Sequence, residues 1–191
     1  MKAWHFVGAD RRMSFGDKRL VEVGKTYSVE GEPVLCEHGL HGSERIIDAL
    51  YYAPGPVVCR VRLSGILVHG KDKSVATQRT VLGMIDATEI LEALSRQWAL
   101  SVAHLWPMPD VLREFLKTGE ESLRAAAWAA AWEAARQAAR AAAWAAAGAA
   151  ARETAQAAAW AAALEEALIR QNAQLEARVL AELGTVPSFN P

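Results

Sequence analysis

Between Ala125 and Ala163, 26 of 39 residues are alanine, and that density leaves the backbone few choices. Alanine has the highest helix propensity and no side-chain entropy to lose. Gly148 is the one breaker inside the tract, and no proline stands between Pro109 and Pro187. Residues 119–184 are therefore predicted to be helical, as one long helix or as a hairpin folded at Gly148, where a glycine costs about 1 kcal/mol against alanine. Thr118 and Glu121 offer a capping box at the start, and Gly184 with Pro187 supplies the stop. Aligning AAAWAAAWEAARQAAR, AAAWAAAGAAARETAQ and AAAWAAALEEALIRQN gives a tandem period of 16 residues. Solenoid repeats run about 20–50 residues and carry larger apolar side chains. The period also fits expansion of a short coding repeat that stays helical.

On one unbroken helix, with Trp128 at zero, Trp132 falls at about 40°, Trp160 at about 320°, Leu164 at about 0°, Leu168 at about 40° and Leu175 at about 20°. These six residues form a candidate interface stripe with methyl groups between its bulky ends. Trp144 points elsewhere, among Arg136, Arg140 and Glu133. A narrow apolar seam on an isolated helix calls for a partner. The large rings and leucines are expected to supply most of the contact area. The expected partner is a second copy of the chain, another protein or the tail itself. Arg124, Arg136, Arg140 and Arg152 alternate with tryptophan but share no face, which argues against a nucleic-acid stacking surface.

Before Gly119 the composition changes to Val, Gly, Pro and His. AWHFV, RLVEVGKTYSV, PVLCE, VVCRVRLSGILVHG and TQRTVLGMI read as strands bounded by turn residues. Val57, Cys59, Val61 and Leu63 alternate with Val58, Arg60, Arg62 and Ser64. SERIIDALYY reads as a short helix capped by Ser43 and halted before Pro54. Thr88 opens another helix, and Asp110 caps a third that ends near Gly119. The fold class is α+β: a compact strand-rich domain over 1–118, the alanine-rich helical tail over 119–184 and an extension over 185–191.

Net charge is −1, so no field of one sign marks the chain for nucleic acid or anionic membrane. The stretch Ala141 to Ala151, than which no uncharged run of the tail is longer, is well short of the roughly 20 residues a membrane span needs. The two cysteines are too few for a disulfide framework. With an N-terminus lacking a secretory pattern, they make the cytoplasm the expected location.

The densest chemistry lies in LCEHGLHGSE. Cys36, His38 and His41, with Cys59 from a neighbouring strand, are the types zinc uses. Neither a Cys-x₂-Cys nor a His-x₃-His pair accompanies them, so no metal is expected. No Walker, dinucleotide or HExxH pattern occurs, and no cofactor is expected on composition.

EVGKTY, LCEHGLHG, DALYYAPG, VVCRVRLSG and the DKSVA loop resemble the N-terminal domain of an uncharacterised family of small phage and prophage proteins over about residues 1–90. A low-complexity repeat tail often follows that domain, and the resemblance implies a phage accessory role. A more distant similarity runs to ADP-ribosyltransferase-like folds, through AWHFV, GLHGSE, DALYY and PVVCRVRLSG. It implies NAD as co-substrate, with His5 at the nicotinamide ribose, His41 or Ser43 lining the nicotinamide pocket, and Asp86 or Glu89 stabilising an oxocarbenium-like transition state. Leu40 stands where both patterns place an aromatic. The function expected is a non-catalytic interaction or assembly protein that works through its tail, with an NAD-using ADP-ribosyltransferase-like enzyme or a host-defence-modulating effector as the alternative.

Overall fold

A computed structural model describes residues 1–14, 16–146 and 153–185, with side-chain surroundings given outside 139–162 and 185. Five antiparallel strands form one sheet: β1 (Lys2–Val7), β2 (Thr26–Ser28), β3 (Leu40–Gly42), β4 (Val57–His69) and β5 (Ser74–Asp86). The order is β1-β4-β5-β2, and β3 also pairs with β5. β2 and β3 therefore lie end to end along one edge of β5, at Gln78–Thr80 and at Ser74–Ala76. Just past β3, Ser43 and Trp4 exchange both backbone hydrogen bonds, at 2.7 and 2.9 Å. That bridge returns the far edge of the sheet to β1, so the sheet closes on itself at this end.

The alternation read in β4 is the reason it can do so. Val57, Cys59, Val61 and Leu63 face inward with Ala3, Val7, Tyr27, Leu40, Ala76 and Val81 in one buried cluster. β4 and β5 are long and irregular, with register shifts at Arg60/Val61 and Ser64/Leu67. At the second, Gly65 takes φ +78° and approaches Thr77 so closely that a Cβ would stand 2.2 Å from its Oγ1. Only glycine fits such a bulge.

Two expected strands are largely turns. In RLVEVGKTYSV only Thr26–Ser28 is extended, because Lys25 turns back to the Glu22 carbonyl through Gly24 at φ +84°. In PVLCE the Val34 carbonyl accepts from both the Glu37 and His38 N–H groups, which folds the segment into a tight loop. Ser43 does not cap a helix; its backbone is committed to Trp4. α1 (Ile46–Tyr51) begins instead after Arg45, with no side-chain cap.

The described helices continue with α2 (Thr88–Ser101), α3 (Asp110–Thr118), α4 (Glu121–Ala146) and α5 (Glu153–Thr185). The long C-terminal helix expected from the alanine content is present. Gly148 lies outside the described residues. Asp110 is the first residue of α3 rather than its cap, and Gly119 ends that helix in the left-handed conformation. Thr118 Oγ1 accepts from Glu120 N–H and donates to the Glu114 carbonyl, so no capping box with Glu121 forms.

The chain divides into two compact units. One comprises Met1–Leu91 with Ile169–Pro191; the other is Glu92–Leu168. In the first, Leu175 and Val179 of α5 are fully buried. In the second, α3 packs along α4.

Candidate functional site

β1 and β3 bring two sequence-predicted residues into one neighbourhood. His5 lies opposite Cys59 in the β1–β4 ladder, and His41 sits in the middle of β3 opposite Val75. Burial, then the charges of Arg79 and His41, hold the His5 imidazole well below its ordinary value. His41 is likewise lowered, by burial and then by Lys73 and Arg79. Both rings are therefore neutral near pH 7.

His41 has its ring committed. Its Nε2 accepts the Cys36 N–H at 3.1 Å. The residue staples the loop from Cys36 to Gly39 onto β3. That staple accompanies a left-handed Cys36, φ +66°, which is uncommon for a residue with a side chain.

Arg79 of β5, which sequence reading passed over, is the charged residue that joins these parts. It is 3% exposed, and its Nη1 donates to the His41 carbonyl at 2.9 Å. Its Nε has no acceptor, and burial brings its basicity down to about 10. Arg79 has the parity of buried Val81, with Gln78 and Thr80 on the opposite face, which is the signal that could have placed it inside.

The proposed acids stand elsewhere. Asp86 Oδ1 accepts from the Thr88 hydroxyl at 2.6 Å and from its N–H at 2.9 Å. Those bonds, the hydroxyl first, lower its carboxyl and brace the start of α2. Glu89 is exposed in the first turn of α2. Neither acid contributes to the electrostatics of His5 or His41.

The zinc candidates also separate. Cys59 is buried in the sheet interior, its thiol pushed up to about 12 by that burial. His38 Nε2 pairs with the Glu30 carbonyl at 2.7 Å. Cys36 is exposed and lies near Lys73, whose ammonium lies 3.8 Å from the centroid of the Tyr52 ring. Among the described residues no three His, Cys, Asp or Glu side chains are grouped to hold a metal.

The candidate interface divides between the two units. On α4, Trp128 and Trp132 are 76% and 65% exposed, whereas Ala127 is 1% exposed. Leu123, Ala130, Ala131 and Ala134 share the less exposed side with Ala127. Methyl groups thus form the packed face of α4, where small size permits close approach, and the indoles face water. On α5, Leu164 is exposed, Leu168 half-buried and Leu175 buried in the other unit. The side chains of Trp144 and Trp160 lie outside the described residues. No described helix is long and apolar enough to cross a membrane.

The sheet, α1 and the start of α2 coincide with a recognisable unit. A domain of unknown function, DUF7666, covers residues 1–93. The DUF7666 match stops two residues past Leu91, where the first compact unit gives way to the second. It leaves out residues 169–185, although they belong to the same unit. No curated protein and no solved structure matches the chain.

Proposed function

We propose that this is a non-catalytic interaction protein of a phage or prophage, acting in the cytoplasm, that associates with a second copy of itself through the outer face of α4. The observation that carries this reading is the exposure of Trp128 and Trp132, one helical turn apart, on a helix whose alanine face is already used. Two indoles offer several hundred Å² of apolar surface, roughly 150–250 Å² each. Facing methyl groups on a second α4 give them a flat surface to cover. The phage setting rests on the motif resemblance in residues 1–90.

Sedimentation equilibrium of the full chain tests it. A dimer is expected that becomes monomeric in the Trp128→Ala/Trp132→Ala variant, with unchanged helical circular dichroism. A monomeric parent chain, or a dimer indifferent to both substitutions, overturns the proposal; association with some other protein would then be the reading left for this face.

The NAD-using alternative is favoured by one feature, the approach of His5 to His41. It requires a carboxylate at the ribose, and Asp86 is engaged at the helix start. Calorimetric titration of the full chain with NAD decides it: heat of binding lost in His5→Ala supports the enzyme, and absence of binding removes it.

A further inference from the structure

A guanidinium is a fork of several N–H donors, and the buried Arg79 spends only Nη1, on the His41 carbonyl. That bond holds the plane of the group in place. Among the described residues neither Nε nor Nη2 has an acceptor. These two atoms form the edge that receives a carboxylate side-on, through two parallel hydrogen bonds. Asp17 does not fill it: its carboxylate is held by Arg19 Nε and Nη2 at 3.0 and 2.7 Å. Trp4 Nε1 and Arg60 Nη1 are also buried without an acceptor among the described residues. They belong to a stacked pair, 4.2 Å from guanidinium carbon to ring centroid, on which the charge of Glu176 in α5 acts. A carboxylate is at hand for that pair, and none is for Arg79.

The neighbours of Arg79 sharpen the contrast. It stands opposite Tyr27 of β2 and Leu63 of β4, and the Tyr27 hydroxyl is spent on the Leu20 carbonyl and the Glu22 N–H. His5 has the parity of Ala3 and Val7, which lie in the interior cluster. Its ring has no hydrogen bond among the described residues. His5 also keeps partial exposure where Ala3 and Val7 have none, so the interior reaches water there. Arg79 stays charged at neutral pH, its basicity falling only to about 10. His5 is neutral, and the Cys59 thiol, pushed up to about 12, keeps its proton. The interior thus carries one uncompensated positive charge. A monoanion balances that charge, whereas a dianion leaves excess negative charge near Asp17. We propose that the Nε–Nη2 edge of Arg79, with His5 beside it, is a binding site for a small monocarboxylate. The carboxylate accepts from Nε and Nη2, and the neutral His5 ring offers one further N–H. The site lies within the first unit and does not depend on the tryptophan face of α4.

Acetate is the probe. The Arg79 Nε–H resonance of the ¹⁵N-labelled full chain is followed at pH 7.5 and constant ionic strength, with sodium acetate replacing sodium chloride. A saturable shift is expected, together with a melting temperature that rises with acetate by mass action. Both effects should be absent in Arg79→Met, and Arg79→Lys, which keeps the charge but not the fork, should bind acetate about tenfold more weakly. Trp128→Ala/Trp132→Ala should leave acetate binding unchanged, which separates this site from association through α4. No saturable shift, an equal effect from chloride or phosphate, or a stabilisation that persists in Arg79→Met overturns the proposal. Should Arg79→Met not fold, the parent resonance and the lysine variant decide.

Discussion

Arg79 Nη1 donates to the His41 carbonyl at 2.9 Å, so a guanidinium buried in the sheet interior fastens the short β3 strand from within. Among the described residues no carboxylate reaches Arg79 at ion-pair distance. Asp17, whose charge acts on it, is instead paired with Arg19 at 2.7 Å. A buried charge without a partner is costly, whereas a hydrophobic side chain of similar volume often replaces one at little loss. Arg79→Ala is expected to destabilise the fold by about 2–4 kcal/mol through the cavity it leaves. Arg79→Met should recover most of that loss, to within about 1 kcal/mol of the parent. Urea unfolding of the three chains measures both differences. A methionine variant as unstable as the alanine variant would mean that the hydrogen bond, and not the volume, is what matters.

Acid should weaken the fold through His5. Its folded-state affinity for a proton is held well below the ordinary value of 6.5 by burial and by the charges of Arg79 and His41. Above about pH 6.5 the ring is neutral in both states and the full stability is present. As pH falls below 6.5, the unfolded chain takes up a proton that the folded chain refuses. Stability then declines by up to about 1.4 kcal/mol per pH unit for this group, until the folded-state value is reached. His41 shifts the same way. Urea midpoints at pH 7.5, 6.5 and 5.5 should decrease in that order, and His5→Gln should flatten the trend. An unchanged slope in that variant would assign the acid sensitivity to other groups.

Opposite sides of α4 should answer differently to substitution. Ala127 is on the packed side, and enlarging it to leucine is expected to cost about 1–3 kcal/mol by overpacking the face it is buried in. Trp128→Ala, on the exposed side, is expected to change monomer stability by about 0.5 kcal/mol or less. Thermal melts at a concentration below the association range compare the two. The order inverts if the indole, and not the methyl group, is the packed residue.

The legible parts of the fold are those where one local pattern suffices. Val57 to Leu63 alternates because both its neighbours and its interior are fixed by period two, and α2 begins at Thr88, where the sequence places a helix start. β3 was not legible. Leu40, His41 and Gly42 carry no alternation, and they become a strand only because β5 lies beside them and Trp4 waits at their end. Ser43 looks like a helix cap from its neighbours, yet its backbone is claimed by a residue far away in sequence. The tail stripe assumed one uninterrupted rod, which placed Leu175 with Trp128. The packing of Leu175 instead follows from contacts with a unit begun at Met1, which no helical wheel contains. Of the candidate site, the approach of His5 to His41 comes from the pairing of β1 with β4 and of β3 with β5, which neither residue signals locally. The role of Arg79 needed the register of β5, and the engagement of Asp86 needed the exact start of α2.

The return of α5 to the first unit has a consequence for how the polypeptide is made. Translation delivers β1 through β5 well before residues 169–185 emerge from the ribosome. Until then the outer flank of the sheet, with Trp4 and Arg60, lacks the cover that Leu175 and Val179 belong to. A message broken within the alanine codons would yield a head permanently missing that cover, and such a fragment would be a substrate for chaperones and proteases while the intact product is not.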